Sequence, residues 1–288
     1  MTKTIAIIGA GGQMGKWLSN YFEKNGYDVT GFDTENKIPT NIKKAESLIS
    51  AILNKEYVLL STPTKKTPEI IRLIAKEMKR ESYLIDNTSQ KSKTATALAK
   101  IPAKVCPICI HPMFGPGAKG VKNQNIISIP IKDGKKELTV AKNLFPEADF
   151  VTIDSNEHDK KIAIILGLTH LINIAFANIL AKDEKILLTE KMAGTTFKAQ
   201  KIIAESILTE SPELIETIIS NPEIRKVAEE FWKDIGRLLT SAQDGNSNEI
   251  VSYINSNKEK LEEHIDLTKS YKQLTKMVNT IEKLNEKN

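Results

Sequence analysis

Arginine is scarce in this chain of 288 residues: Arg72, Arg80, Arg225 and Arg237 are the only four among 41 basic side chains. Few forked clamps for carboxylate or phosphate are therefore available, and most positive charge is carried by lysine as a compact point charge. Cysteine is almost absent. Cys106 and Cys109 form one C-x-x-C inside VCPICI, which reads as a buried strand where an offset of three sends side chains to opposite faces. With no second pair to complete a zinc site, no metal is expected. Aromatic residues make up 6% of the chain and do not interleave with the basic ones. The net charge of +5 comes from lysines scattered among glutamates, a solvated surface and not a nucleic-acid face. No biased tract, internal repeat or low-complexity linker argues for disorder. No cleavage-site region follows MTKTIAIIGAGG, so a secretory leader is not expected and the expected location is cytoplasmic. One run, Ile162 to Ala181, is twenty residues without a formal charge, the length of a bilayer span. It carries Thr169, His170, Asn173 and Asn178, which suits a helix buried all round inside protein, so no membrane is expected either.

What is present is an ordinary globular balance, 40% apolar and 27% charged, in a chain long enough for two self-sufficient cores. Thr4 to Ile8 is a short β-branched run, and Lys16 to Asn25 after it reads as an amphipathic helix. Further strands are expected at Asp28 to Asp33, Tyr57 to Leu60, Tyr83 to Ile85, Lys104 to Ile110, Ile126 to Ile129 and Phe150 to Ile153. Helical patterns lie between them, at Lys43 to Leu53, Pro68 to Arg80 and Ser92 to Lys100. This alternation predicts an α/β fold: a Rossmann-type, doubly wound, mostly parallel sheet covered on both faces. Beyond it the pattern is helical. Pro212 after Ser211, Pro222 after Asn221 and Gly245 with Asn246 mark helix boundaries. The expected division is a dinucleotide-binding domain over 1–155 and an all-helical domain over 156–288.

Gly9, Gly11, Gly12 and Gly15 spell GAGGQMG, a G-x-G-x-x-G turn with one extra glycine. Such glycines let backbone amides, here with Gln13 and Met14, approach a pyrophosphate at a helix amino terminus. The turn follows a strand, precedes a helix and lies 24 residues before Asp33 at the end of the second strand. Asp33 can accept from ribose hydroxyls and would repel a ribose phosphate, so NAD is expected over NADP. Ser61, Thr62 and Pro63 end the third strand, DNTSQK ends the fourth and His111 closes the fifth, all on the carboxyl edge where doubly wound sheets hold ligands. Ser89 and Lys91 are candidate contacts there, with Ser89 equally suited to capping the next helix. His111 sits in HPMFGP, a stiff loop that presents an imidazole, the side chain best suited to take a proton near neutral pH while a nicotinamide takes a hydride. Among the four histidines, His158 and His170 are twelve residues apart on one expected helix, about 120° out of register at roughly 100° per residue. His264 lies among charged residues.

Taken together, IAIIGAGGQMG, DNTSQK, HPMFGP, EHD at Glu157 to Asp159, THL at Thr169 to Leu171 and SPELIETIISNP resemble the prephenate and arogenate dehydrogenase family of tyrosine biosynthesis, over nearly the whole chain. The resemblance implies NAD-dependent oxidative decarboxylation of prephenate to 4-hydroxyphenylpyruvate, with arogenate as the alternative substrate. It implies that His111 takes the ring hydroxyl proton, that Ser89 holds that hydroxyl and the imidazole, and that His158 and His170 line the substrate side. One departure stands out. The family's carboxylate-gripping arginine after an aromatic is here Lys198 after Phe197, which supplies charge without the fork, with Lys201 as a second candidate. The family forms dimers through its helical domain, which would cover the uncharged run from Ile162. No room is expected for a fused chorismate mutase or an amino-acid-sensing domain. A β-hydroxyacid dehydrogenase or imine reductase would share the opening turn but not HPMFGP. A non-catalytic NAD sensor would require Lys198 to have abolished substrate binding.

Overall fold

A computed structural model describes residues 2–285. Eight strands form one sheet: β1 (Thr4–Ile8), β2 (Asp28–Phe32), β3 (Lys43–Lys44), β4 (Tyr57–Leu60), β5 (Ser82–Asp86), β6 (Val105–Pro112), β7 (Asn125–Ile129) and β8 (Asp149–Thr152). Their order is β3-β2-β1-β4-β5-β6-β7-β8, so the chain reverses direction across the sheet between β1 and β4. All pairs are parallel except β6 with β7. The fold is therefore the doubly wound α/β class, with an antiparallel turn at one side.

Six helices accompany these strands among the described residues: α1 (Gln13–Lys24), α2 (Leu48–Ile52), α3 (Thr67–Ile74), α4 (Ser92–Ala99), α5 (Gly134–Leu144) and α6 (Ser155–Ile162). Strand side chains alternate between the sheet's two faces. Ile5 and Ile7 of β1 join Leu59, Leu18, Phe22 and Phe145 in one apolar layer, while Ala6 and Ile8 join Leu60, Ile71 and Ile74 in the other. Both faces are thus closed, as near-continuous apolar strands require. The helix expected over Lys43 to Leu53 is corrected: Lys43–Lys44 pairs with β2, and helix α2 starts only at Leu48 behind a reciprocal Ser47/Ser50 capping box.

The chain divides into two compact units, one running to Ile162 and the other starting at Ala163. The second is all-helical: a π-turn (Ala163–Leu168), then α7 (Thr169–Ala181), α8 (Ile186–Met192), α9 (Thr195–Leu208), α10 (Pro212–Ile219), α11 (Ile224–Gln243), α12 (Ser247–Glu262) and α13 (Leu267–Asn285). Ser211 accepts from the Leu214 amide ahead of Pro212, and Asn246 accepts from the Glu249 amide to start α12. Helix α7 packs on α9, with the Phe176–Phe197 edge contact and a Gln200–Asn173 hydrogen bond of 2.7 Å between them. A Cβ on Gly167 would meet Ile224 Cδ1 at 2.2 Å, so a larger residue there would have to displace the side chain of Ile224, which starts α11.

The run from Ile162 is not buried all round by this single chain. Ile164, Ile165 and Ile179 are each about half exposed or more, while His170 and Asn173 face inward. By length and composition alone the helical segment Ser155–Ala181 could cross a membrane. Yet its buried polar groups find protein partners, as in a core helix.

Candidate active site

The first cluster gathers at the carboxyl ends of β1, β2 and β4, beside the reversal point. Gly9 has φ +88°, and a Cβ there would meet the Ser61 carbonyl oxygen at 2.2 Å. A Cβ on Gly15 would meet the Gly9 carbonyl at 1.9 Å, so the turn closes onto α1 only with glycine at both places. Gly12 caps α1 without a side chain, and no acidic residue lies in the first turn. The helix therefore presents its opening amides, the arrangement that receives a phosphate anion. Gln13 is exposed and Met14 half-buried. Asp33 folds its carboxylate over the turn: Oδ2 accepts from Gly11 N at 3.0 Å, and Oδ1 from the Glu35 and Asn36 amides at 2.9 and 2.8 Å. Ser61 N donates to the Ile8 carbonyl at 2.8 Å, and the Thr62 hydroxyl meets that of Thr67 at 2.8 Å ahead of Pro63.

The second cluster lies at the ends of β5 and β6. Asp86 and Lys91 form a fully buried pair, Nζ to Oδ2 at 2.8 Å, and Nζ also donates to the Ile110 carbonyl at 2.6 Å. Lys91 thereby ties the end of β5 to the residue before His111. Ser89 is half-buried in the connecting loop, and since α4 is capped at Lys91 its side chain does not cap that helix. The α4 amino terminus is instead held by Asp159 of α6, whose Oδ1 accepts from Lys91 N and Oδ2 from Ser92 N, each at 2.9 Å, with the Ser92 hydroxyl also donating to Oδ2. The neighbouring His158 turns Nδ1 to Asp159 Oδ1 at 2.8 Å and Nε2 to His111 Nδ1 at 3.0 Å.

Burial holds the His111 imidazole well below its usual pKa, the Lys91 ammonium and His158 pushing the same way and the Asp159 carboxylate opposing them. Asp159 is held down to about 2: burial opposes ionisation, but the donors from His158, Ser92 and Lys91 outweigh it. His111 Nε2 has no hydrogen-bond partner among the described residues. No buried side-chain nitrogen or oxygen there lacks one, so this nitrogen opens to the surface. A neutral imidazole with one nitrogen anchored inside and the other open is equipped to accept a proton.

The remaining sequence-derived candidates belong to the helical unit. His170 Nδ1 meets the Leu166 carbonyl at 2.7 Å and Nε2 meets Glu210 at 3.3 Å. Burial lowers its pKa, yet Glu210 and the Leu166 carbonyl outweigh that and leave it raised. Lys201 is gripped by Glu190 at 2.9 Å and Glu205 at 2.6 Å, and these carboxylates raise its pKa. Lys198 is half-buried on the same helix, α9. Sequence reasoning had named Lys91 as a contact and quoted Asp159 only within EHD. Neither the Asp86–Lys91 pair nor the Asp159 cap carries a spacing signal, because both join residues on different elements.

Residues 22–154 match the prephenate dehydrogenase nucleotide-binding domain, and residues 154–256 match the prephenate dehydrogenase dimerization domain. The chain belongs to the prephenate dehydrogenase family. Among relatives, a probable arogenate/prephenate dehydrogenase of Methanocaldococcus jannaschii is 28% identical over 79% of this chain and 54% of its own length. The T-protein of Enterobacter agglomerans is 24% identical over 88% of this chain and 66% of its own length. The chain thus spans about half to two thirds of the curated relatives it matches. Prephenate dehydrogenase from A. aeolicus, solved with hydroxyphenyl propionate and NAD+, shares the fold at a TM-score of 0.70 and 20% identity, over 91% of this chain and 98% of that one.

Proposed function

We propose that this member of the prephenate dehydrogenase family is an NAD-dependent oxidoreductase that decarboxylates prephenate to 4-hydroxyphenylpyruvate in tyrosine biosynthesis. The observation that carries the reading is His111, neutral, anchored at Nδ1 and open at Nε2, on the same sheet edge as the glycine turn.

The turn fits a dinucleotide. Gly9 and Gly15 let the turn close tightly onto α1 where a Cβ would strike backbone, α1 offers uncapped amides, and Asp33 keeps acceptor capacity for ribose hydroxyls while its charge repels a 2′-phosphate. Bound there, NAD supplies the hydride acceptor for the ring carbon that bears the hydroxyl. His111 Nε2 receives the hydroxyl proton, and Ser89 orients that hydroxyl. Loss of the ring carboxylate as carbon dioxide then makes the ring aromatic, which drives the step without a metal. Lys198, next to Phe197 on α9, is the candidate for a substrate carboxylate by its place in the family pattern, and Lys201, whose ammonium holds Glu190 and Glu205, is the second. We assign the second unit to a homodimer, as its family description suggests and its exposed isoleucines invite, and the enzyme to the cytoplasm.

The test is NADH formation at 340 nm with prephenate and with arogenate, each with NAD and with NADP. Turnover of prephenate with NAD is expected. Preference for arogenate would keep the chemistry and change the substrate, and no turnover of either would overturn the reading.

A further inference from the structure

The relation of His111, His158 and Asp159 fixes where protons sit. Asp159 is ionised, so its Oδ1 can only accept, and the His158 Nδ1 at 2.8 Å must carry a hydrogen. A neutral His158 then has a bare Nε2, which accepts at 3.0 Å from His111 Nδ1–H. A neutral His111 protonated at Nδ1 has its lone pair on Nε2, the nitrogen that opens to the surface. The carboxylate thus sets the tautomer of an imidazole two residues removed from it in the hydrogen-bond chain.

The same chain answers a difficulty in the proposed reaction. A proton taken at Nε2 would leave a cation on His111, which is buried and feels the Lys91 ammonium. We infer that Asp159 and His158 are positioning residues that form a proton relay behind His111, and that the reaction's proton is stored as a charge on His158. As the substrate hydroxyl proton reaches His111 Nε2, the His111 Nδ1 proton passes to His158 Nε2. His111 stays neutral, now protonated at Nε2, and the positive charge rests on His158 beside the Asp159 carboxylate at 2.8 Å. When carbon dioxide leaves, the electron pair of the broken bond enters the ring and the phenolate oxygen takes the proton back along the same path. Hydride transfer and decarboxylation together therefore release no net proton. The charged groups acting on this chain are Lys91, at the start of α4 and paired to Asp86, and Asp159 on α6.

The relay rests on the dehydrogenase reading, so its first test does not use activity. With only four histidines, 15N-histidine labelling resolves each imidazole by NMR. The protein at neutral pH should show His111 and His158 each carrying a hydrogen at Nδ1, with His111 Nε2 bare. A His111 protonated at Nε2 at rest would overturn the relay whatever the protein's activity, whereas the expected tautomers without turnover would sink only the substrate assignment. Asp159→Asn removes the charge that fixes the His158 Nδ1 hydrogen, so neither imidazole should be held as firmly in the Nδ1–H form. Turnover should then fall about 100-fold or more, with KM changing far less. Because Asp159 also caps α4, a second pair guards against misfolding. His158→Gln keeps an acceptor for His111 Nδ1 and a donor for Asp159 but cannot take up a proton, so it should lose turnover about as far as His158→Leu while holding His111 protonated at Nδ1. Turnover near that of the unmodified protein in His158→Gln would contradict the relay.

Discussion

The two units of this chain are built to different degrees of completeness. In the first, both faces of the sheet are sealed, and Ile5, Ile7, Leu59, Leu60, Phe22 and Phe145 are removed from solvent. In the second, the best-buried apolar residues are mostly small, such as Ala163, Ala199 and Ala204, while Leu187, Met192, Trp232 and Tyr271 are more than half exposed. A sheet wrapped by helices closes its core within one chain. Helices carrying apolar residues on several faces need another surface, which a second copy can provide. The same contrast holds for charge. The first unit buries an ion pair and a histidine chain, while the second, the buried His170 apart, holds ion pairs such as those of Lys201 and Arg225 nearer the surface.

The sharpest way to probe the comparison is to strike the chemistry of the closed unit. His111→Asn should lose roughly 100- to 10,000-fold in turnover while NAD affinity, read by fluorescence titration, stays near normal. Lys91→Met should leave Asp86 as an unpaired buried charge and lower stability by about 3–5 kcal/mol in urea denaturation. If the loss were negligible, the closed unit would not depend on that pair. In the helical unit, Lys198→Ala should chiefly raise KM, since a charged hydrogen bond contributes about 1.5–3 kcal/mol, or roughly 10- to 150-fold, and Lys198→Arg should recover most of it. In the proposed homodimer, Ile165→Asp should weaken self-association by sedimentation several-fold or more, because covering the exposed half of this isoleucine contributes about 1 kcal/mol on each copy.

The smallest effect distinguishes the units by the sign of their pH response. His111 has a lowered pKa, so below about 6.5 the unfolded chain takes up a proton that the folded one refuses, and stability falls as pH falls. His170 has a raised pKa, so its contribution is present below about 6.5 and is lost as pH rises through its folded value. Urea midpoints across this range, compared with those of His111→Asn and His170→Gln, should show differences of opposite slope.

Much of this was legible in the residues. Short, near-continuous apolar runs marked the buried strands, and the glycine spelling with Asp33 located the turn, because both signals are local. Lys43 and Lys44 were misread as helix because two exposed lysines carry no strand pattern, and pairing with β2 decided them. The spacing of His158 and His170 put them about 120° apart on one expected helix, but a π-turn separates them, and His158 bonds to His111. That contact joins the end of β6 to α6, forty-seven residues apart, a separation no periodicity can span.

The most direct measurement uses prephenate deuterated at the hydroxyl-bearing ring carbon, with NAD and the full-length protein. The account predicts one deuterium in each NADH formed and one carbon dioxide released with it. NADH without the label would contradict hydride transfer from that carbon, and no NADH from either prephenate or arogenate would contradict the assignment of His111 and the glycine turn to a single hydride-transferring site.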